Sequence, residues 1–344
     1  MKDRAAVVSR QHPLRVLALV HKELEPPKNP NRYHTNVEWK MEFDVIESLE
    51  YLGHHVEVLG LHDDLSVLAE AIERFQPQVL FNLLEDFHGV AVNDQHWVSH
   101  LELLKLPYTG CNPRGLLLAR DKAIAKKLLA HESIAAPGFA VFRRGERGRV
   151  DSLRYPLIVK SLIFDGSVGI SQASVVASGE KLEERVRFVH EDIGTYAIAE
   201  EFIDGRELYV GIIGNERLET LPVWELRFKK RPPSTRLIAT ERVKWSDKYQ
   251  KKVGVHSGRA RLPEAKAREI QALARRIYRA LELSGYGRID FRMSDDGTVY
   301  FLEANPNPQL AYGEDFAESA EKGGVSYEDL ISRILKLALS RPRT

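Results

Sequence analysis

A hairpin near the end of the chain constrains the fold more tightly than any other stretch. In "GYGRIDFRMSDDGTVYFLEAN", two runs of strand-forming residues flank an Asp-Gly step at 296–297. Such a step predicts a two-residue turn, because a type I′ turn needs positive φ at both central positions. That turn would place Asp290 directly opposite Glu303. It would also place Arg288 opposite Asn305, with all four side chains on one face of the strand pair.

The two faces of this hairpin then differ in character. The other face would be core, made of Ile289, Phe291, Met293, Tyr300, Leu302 and Ala304. Carboxylates that lie opposite each other repel, so Asp290 and Glu303 require a compensating cation. Two carboxylates and an amide oxygen suit Mg²⁺ or Mn²⁺, which completes its shell from water and substrate phosphates. The pattern also fits an exposed face whose acids are balanced by water and by Arg288 and Arg292.

The first third of the chain alternates strands with helices. Strand "RVLALV" precedes a helix at about 37–52, strand "HVEVLGL", a helix at 65–75, strand "QVLFNLL", a helix near 94–105 and strand "PYTG". This alternation predicts a parallel sheet covered by helices, in which ligands collect at the carboxyl ends of the strands. The loops 21–34 and 85–94 are therefore candidate binding loops.

The predicted fold class is α/β: an N-terminal parallel α/β domain followed by two α+β subdomains. A chain of 344 residues fits several units, because one core of ordinary size rarely grows so large. We place the N-terminal domain at 14–112, the central subdomain at 113–200 and the C-terminal subdomain at 201–340.

Composition excludes several classes of partner. With 43% hydrophobic and 29% charged residues and a net charge of +1, the chain has no global attraction to nucleic acid or membrane. The early apolar run "VLALV" is too short to span a bilayer, and the charged leader before it does not resemble a signal peptide. The single cysteine, Cys111, excludes an intramolecular disulfide and fits a reducing cytoplasm, where we expect the protein.

Two motifs could bind phosphates. Lys160 ends the apolar strand of "PLIVKSLIFDGSVGIS" and precedes a loop with Gly166 and Ser167, whose backbone N–H groups could wrap a phosphate. The same glycines also fit an ordinary β-turn. Lys122 follows Asp121, a good helix N-cap, and a lysine in a first turn opposes the helix dipole, so it could serve a ligand. We expect Lys126 and Lys127 to be solvated, and the basic stretch 228–252 to be a solvated loop that could also cover phosphates.

A third motif joins two apolar strands in "AIAEEFIDGRELYVGII". Glu200 and Glu201 enter the connecting turn and Glu207 leaves it. Backbone groups of such a linker can bind the edge of a purine while a carboxylate holds ribose hydroxyls. The segment also fits a surface hairpin with exposed acids.

In this order, the motifs resemble the ATP-grasp superfamily and, within it, the D-alanine–D-alanine ligases. The resemblance runs from about Arg15 to Leu339 and rests on "LELLKLPYTG", "DKAIAKKLL", "LIVKSLIFDGSVGIS", "GRID" and "FLEANPNP". It implies an α+β ATP-grasp fold in which two subdomains hold ATP. In that family dimers are frequent, so the resemblance leaves a homodimer open.

The resemblance also implies a role for each motif residue. The residues implied to bind ATP are Lys122, Lys160, Gly166, Ser167, Glu200, Glu201, Phe202, Ile203 and Glu207. Asp290, Glu303 and Asn305 would hold two Mg²⁺ ions, with Mn²⁺ as an alternative. Arg288 would be catalytic, as would Lys244, which falls on a mobile lid in that family.

The chain departs from the family pattern where the amino-acid substrates would bind. The Thr-Ser-Pro-Gly-Met run of the family reads "PNPQL" here, so Gln309 replaces a glycine whose N–H helps form the oxyanion site. In an ungapped alignment Glu314 replaces the serine that holds the second substrate's carboxylate. His88 is kept in "HGVAVNDQ", and Glu23 or Glu25 could meet the first substrate's amine.

These features indicate an ATP-dependent carboxylate–amine ligase that forms an amide through an acyl phosphate. Its small-molecule substrates would be amino acids or short peptides, and the second could be cationic because Glu314 would repel a carboxylate. Two alternatives stay open: a genuine D-alanine–D-alanine ligase, and a nucleotide-binding regulatory protein that has lost the chemistry.

Overall fold

The structure, a computed structural model, describes residues 12–27, 37–146, 148, 150–229, 236 and 238–341, and only the backbone of 244, 245 and 247. Contacts divide the chain into two compact units, Met1–Pro113 with Gln309–Thr344, and Arg114–Pro308. The predicted subdomain 201–340 differs from this division at its end, because the residues from 309 onward group with the first unit. The predicted boundary at 200/201 stays a prediction. In the described part, no helix is both long and apolar enough to cross a membrane.

The strands and helices follow one another through both units. The strands are β1 (Arg15–His21), β2 (His55–Leu61), β3 (Val79–Asn82), β4 (Phe139–Phe142), β5 (Leu157–Ser161), β6 (Val175–Val176), β7 (Ala197–Glu201), β8 (Arg206–Ile213), β9 (Glu219–Thr220), β10 (Trp224–Phe228), β11 (Val255–Arg259), β12 (Tyr286–Met293) and β13 (Val299–Pro306). The helices are α1 (Lys40–Tyr51), α2 (Ser66–Phe75), α3 (Asp94–Leu103), α4 (Pro113–Arg120), α5 (Lys122–His131), α6 (Gly179–Phe188), α7 (Glu241–Trp245), α8 (Asp247–Val253), α9 (Glu264–Ala280), α10 (Asp315–Lys322) and α11 (Tyr327–Leu339).

The first unit is built on a parallel sheet, as predicted. Its strand order is β2-β1-β3, and both pairings are parallel. The residues 16–20 of β1 are completely buried, as expected for a central strand covered on both faces. The predicted strand "PYTG" contributes only an isolated bridge between Leu80 and Tyr108. Helix α11 packs against α1 and β3, which explains why the end of the chain belongs to this unit.

The second unit contains two sheets. The smaller has the order β4-β7-β5-β6, and the larger has the order β11-β10-β8-β12-β13 with β9 paired to β8. All these pairings are antiparallel. Apolar residues of α6 cover the smaller sheet, and α9 packs on β8 and β12 of the larger.

Helix α5 touches both sheets of this unit. Ala123 packs with Leu162 and Ile198 of the smaller sheet region, while the helix also contacts β13 of the larger sheet. The N-cap is confirmed, because the Asp121 carboxylate accepts hydrogen bonds of 2.9 Å from the backbone N–H groups of Ala123 and Ile124. The cap fixes where the helix begins, and therefore which side chains it directs toward both sheets.

The β12–β13 hairpin pairs as predicted where the polar residues lie. Asp290 is opposite Glu303 and Arg288 is opposite Asn305. Near the tip of the hairpin, the predicted register was wrong by one residue, because the turn has three residues and not two. The N–H of Ser294 donates to the carbonyl of Thr298 at 3.0 Å, which closes the three-residue turn. Gly297 has φ +84°, the left-handed conformation that such a turn requires at its last position.

A β-bulge reconciles the two registers. The register shifts between Asp290 and Phe291, where Leu302 is the extra residue with no partner on β12. Val299 and Phe301 are therefore buried in the core, instead of the predicted Tyr300 and Leu302, which are only partly buried. Without the bulge, strict alternation from Phe301 would direct Glu303 into the core.

Candidate active site

The acidic face of the hairpin is neutralised by cations from two elements. The Arg288 guanidinium donates two hydrogen bonds to Asp290, of 2.7 and 2.8 Å, and stacks over the ring of Tyr209 at 4.8 Å. The Lys122 ammonium lies 3.6 Å from a carboxylate oxygen of Glu303. The two opposed acids are therefore held close together, each within reach of a positive charge.

Lys122 is a fully buried cation at the start of α5. It donates hydrogen bonds to the Asp165 carboxylate at 2.9 Å and to the carbonyl of Phe164 at 2.8 Å. Burial disfavours its charge, but Asp165 and Glu303 outweigh that effect and raise the lysine's pKa above its ordinary value. Lys122 therefore stays charged at neutral pH.

Glu200 is a buried acid held between two lysines. Its carboxylate lies 3.2 Å from Lys160 and 3.4 Å from Lys126. Burial alone would raise its pKa, but Lys126 and Lys160 lower the pKa below its ordinary value. The prediction that Lys126 is solvated was wrong: it is 1% exposed, because four residues on from Lys122 it occupies the same face of α5.

The glycine loop after β5 contains two consecutive residues with left-handed backbone. Gly166 and Ser167 both have left-handed φ values, +69° and +63°. The Ser167 hydroxyl donates to the carbonyl of Ala239 at 2.7 Å, and the Gly169 N–H donates to Glu241 of α7 at 3.0 Å. The loop therefore supports the short helix that carries Lys244, a predicted catalytic residue whose side chain lies outside the described residues.

The two acids that flank the linker between β7 and β8, Glu201 and Glu207, have different partners. The Glu201 carboxylate accepts a hydrogen bond of 3.1 Å from Arg154, which lowers the pKa of Glu201. The side chain of this predicted adenine-binding residue is therefore engaged in an ion pair. Phe202 and Ile203 are partly buried. The backbone N–H of Phe202 donates to the carbonyl of Pro156 at 2.9 Å.

Glu207 is held by Arg292, a residue for which the sequence suggested only screening of the hairpin acids. The two side chains lie 3.1 Å apart and are nearly buried, and Tyr209 donates to Glu207 at 2.7 Å. Arg292 also donates to the carbonyl of Gly205 at 3.2 Å, and its guanidinium lies 5.8 Å from the ring of Phe202. Arg292 thus joins the two ends of the linker. The sequence feature that could have indicated this role is the position of Arg292, two residues after Asp290 on the same face of the strand.

The hairpin donors fit a divalent ion of the Mg²⁺ class. Asp290 and Glu303 supply hard carboxylate oxygens from adjacent strands, and Asn305 supplies an amide on the same face. The amide nitrogen of Asn305 is buried without a hydrogen-bond partner among the described residues, so this amide is not committed to another contact. The described part of the chain contains no cluster of three His, Cys, Asp or Glu side chains that could hold a metal. The hairpin face offers two carboxylates, and its third donor is the amide of Asn305.

The four predicted substrate-binding residues all lie in the first unit. Glu25 and His88 follow β1 and β3 at the carboxyl edge of the parallel sheet, and both are exposed. Glu25 lies 3.5 Å from the ammonium of Lys22. Gln309 and Glu314 are exposed in the segment that precedes α10.

That segment is tied to α1. Lys40 donates to Asp44 at 2.7 Å and also to the carbonyl of Tyr312, whose N–H donates to Asp44 at 2.9 Å. The backbone next to Glu314 therefore has a fixed place on the first unit.

Two further histidines at the sheet edge were missed by the sequence reasoning. The ring of His62 lies 5.4 Å from that of His21 and 6.0 Å from that of His88. His21 ends β1 and His62 follows β2, so the available signal was a histidine at the carboxyl end of each of two predicted neighbouring strands.

The chain is similar to known proteins over most of its length. The family model described as D-ala D-ala ligase C-terminus matches residues 128–336. The uncharacterized protein y4sG of Sinorhizobium fredii is 31% identical over 86% of this chain and 87% of its own length. A D-alanine--D-alanine ligase of Syntrophotalea carbinolica is 30% identical over 85% of this chain and 88% of its own length.

A solved structure shows the same fold. The D-alanine--D-alanine ligase of Bacillus anthracis complexed with ATP has a TM-score of 0.73 and 21% identity, covering 95% of this chain and 97% of that one. The family model spans more than half of the chain and the Syntrophotalea ligase aligns with most of it. The chain therefore belongs to the D-alanine–D-alanine ligase family of ATP-grasp proteins, and it is an ATP-dependent carboxylate–amine ligase that forms C–N bonds.

Proposed function

We propose that this ligase joins the carboxylate of one amino acid or short peptide to the amine of another through an acyl phosphate. The observation that carries the proposal is the hairpin face on which Asp290 lies opposite Glu303. Arg288 contacts the first of these acids and Lys122 the second. Paired acids with permanent cations at their side suit a site that handles a triphosphate.

The reaction has two steps. A carboxylate oxygen of the first substrate attacks the γ-phosphorus of ATP, the bond to ADP breaks, and an acyl phosphate forms. The amine nitrogen of the second substrate then attacks the acyl carbon, loses a proton, and expels phosphate. The product is an amide, and the free energy comes from the phosphoanhydride bond.

Two of the buried lysines, Lys122 and Lys160, would hold the phosphates of ATP. Lys122 remains charged because Asp165 and Glu303 favour its ammonium. Lys160 is the second-last residue of β5, which precedes the glycine loop, so its ammonium and the loop N–H groups would bind neighbouring phosphate oxygens. Arg288 is always charged, and it would stabilise the transferring phosphoryl group and then the tetrahedral intermediate.

Asp290, Glu303 and Asn305 would hold divalent metal, and we propose two Mg²⁺ ions. Bound there, the metal would neutralise phosphate charge and align the phosphoryl group for in-line transfer. The adenine would lie on the segment from Glu200 to Ile203, at the end of β7, with Glu207 on the ribose.

Substrates other than D-alanine follow from the departures at the amino-acid end. The exposed carboxylate of Glu314 would repel the carboxylate of a second amino acid, and Gln309 takes a position that is glycine in the family pattern. A cationic amine-bearing substrate fits this charge better. The second candidate function is the D-alanine–D-alanine ligase activity itself, which is favoured by the names of the relatives.

A substrate screen separates these candidates. Phosphate release would be measured with ATP, Mg²⁺ and amino acids or short peptides, singly and in pairs, and products identified by mass spectrometry. We expect little turnover with D-alanine alone, and faster turnover with a pair that includes a cationic amine. Turnover with D-alanine alone at an ordinary ligase rate of about 10 s⁻¹ would establish the second candidate instead.

Two variants test the metal-binding role in the same assay. We expect Asp290→Asn and Glu303→Gln each to lower kcat/KM by at least about 100-fold, because each removes a carboxylate ligand. Glu191→Gln, an exposed change elsewhere in the second unit, is the control. A protein that kept only a regulatory role would retain its biological effect in both variants.

A further inference from the structure

Lys126 has no role in the mechanism above, yet it is one of the most buried lysines described. Its ammonium donates to the carbonyl of Leu302 at 2.8 Å and to that of Phe301 at 3.4 Å. It also lies 3.4 Å from the carboxylate of Glu200. One cation on α5 thus contacts the linker side of the site and the hairpin side.

The Leu302 carbonyl belongs to the extra residue of the bulge. Such a residue is left out of the ladder, so its polar groups need partners from elsewhere. Leu302 has no residue opposite it on β12, and the Lys126 ammonium supplies a donor to it. The neighbouring residue of β13, Phe301, donates its N–H to the carbonyl of Ala135 at 2.9 Å, and not to β12.

The bulge decides which face Glu303 and Asn305 occupy. Phe301 and Ala304 are both buried, although they are three residues apart, which an unbroken strand does not allow. If the bulge moved or closed, the two metal-binding side chains would turn toward the core or Phe301 would leave it.

We propose that Lys126 is a positioning residue for metal binding, which fixes the bulge at Leu302 and thereby keeps Glu303 and Asn305 on the face of Asp290. The inference rests on the proposed function, because it assumes that this face holds the metal. Lys126 acts through the backbone of β13 and does not itself touch the metal or the phosphates.

The charge of Lys126, and not only its bulk, is part of this role. A methionine would fill a similar volume, but it would leave the Leu302 carbonyl and Glu200 without this partner. Burial lowers the pKa of Lys126 to about 8, and Glu200 opposes that effect. An ammonium is thus kept at this position against its desolvation cost.

The test compares Lys126→Met with Lys127→Met. Lys127 is the next residue of α5 and is exposed, so the same substitution there is a matched control. Mn²⁺ binding in the presence of ATP would be measured by electron paramagnetic resonance, and folding by thermal unfolding. We expect Lys126→Met to weaken Mn²⁺ binding at least about tenfold, as loss of a residue that orients metal ligands does, and Lys127→Met to leave it unchanged. Lys126→Arg, which keeps the charge and donors, should recover part of the affinity.

Each outcome decides the question. Equal Mn²⁺ affinity in folded Lys126→Met and wild type would overturn the inference while leaving the proposed function standing. If wild type itself bound no Mn²⁺ with ATP, the proposed function would fail first. If both Lys126 variants failed to fold while Lys127→Met folded, Lys126 would be a residue of the fold alone, and the inference would be wrong.

Discussion

At the residue scale, some buried charged side chains have a partner of opposite charge, and at least one buried acid has none among the described residues. In the second unit they are paired: Glu200 lies between two lysines, and Lys122 lies between Asp165 and Glu303. In the first unit, both carboxylate oxygens of Glu42 are buried without a hydrogen-bond partner among the described residues. Burial raises the pKa of Glu42 to about 7, and Glu85 adds to the rise. An unpaired buried acid of this kind costs stability whenever it ionises.

Replacing Glu42 with glutamine should therefore stabilise the protein in a pH-dependent way. The folded-state pKa is about 7 against an ordinary 4.5, so the unfolded state releases its proton first as pH rises. Stability contributed by the protonated side chain is complete below pH 4.5 and is lost as pH rises through 7. At pH 8 we expect Glu42→Gln to raise the free energy of unfolding by up to about 3 kcal/mol, and at pH 4 to change it little.

Urea unfolding at the two pH values checks this prediction. Glu47→Gln, an exposed change on the same helix, is the control and should have no such pH dependence. A Glu42→Gln variant that gained no stability at pH 8 would show that Glu42 is paired or hydrated when ionised.

Sequence reasoning predicted which candidate site residues lie together where spacing fixed a face. Strand alternation placed Asp290 with Glu303, and the structure agrees. Lys126 was missed because its helix packs on both sides, and a charged residue near a helix start is usually solvated. The four-residue spacing from Lys122 to Lys126 places both lysines on one face of α5. That this face is buried follows only from the packing of α5 on two sheets.

At the element scale, the hairpin shows what turn chemistry can and cannot predict. An Asp-Gly step fits a two-residue and a three-residue turn, because both use a left-handed glycine. Here the Ser294 hydroxyl and the Thr298 N–H both donate to Asp296, which favours the longer turn. The bulge at Leu302 then restores the predicted pairing of Asp290 with Glu303, so an incorrect turn and a correct strand pairing coexist. Nothing local in the sequence marks that bulge, since its partner is on α5.

The N-cap of α5 gives a prediction at this scale. Removing the Asp121 carboxylate leaves the N–H groups of Ala123 and Ile124 without their acceptor. We expect Asp121→Ala to lower the free energy of unfolding by about 1 kcal/mol, and Asp121→Asn to restore most of it, because asparagine also caps. Urea unfolding of the two variants makes the comparison. Equal stability of Asp121→Ala and wild type would mean that water replaces the cap.

At the scale of the whole molecule, the division predicted from chain order differs from the grouping of contacts in the structure. The sequence places 309–340 directly after the hairpin, so a continuous C-terminal subdomain was the natural prediction. In the structure the Tyr312 backbone is bonded to Asp44, and α11 packs on α1 and β3. Such a return to an earlier unit depends on tertiary packing that a single sequence does not display. The parallel sheet was predictable because its apolar strands alternate with helices.

The proposed activity depends on the face shared by Asp290, Glu303 and Asn305. The most direct measurement is a crystal structure with Mn²⁺ and a non-hydrolysable ATP analogue, read from the anomalous signal of manganese. We predict manganese between the carboxylates of Asp290 and Glu303, in contact with the analogue's phosphates. Nucleotide bound with no manganese on that face, and with Asp290 still paired to Arg288 and Glu303 to Lys122, would contradict a metal-binding role for these residues.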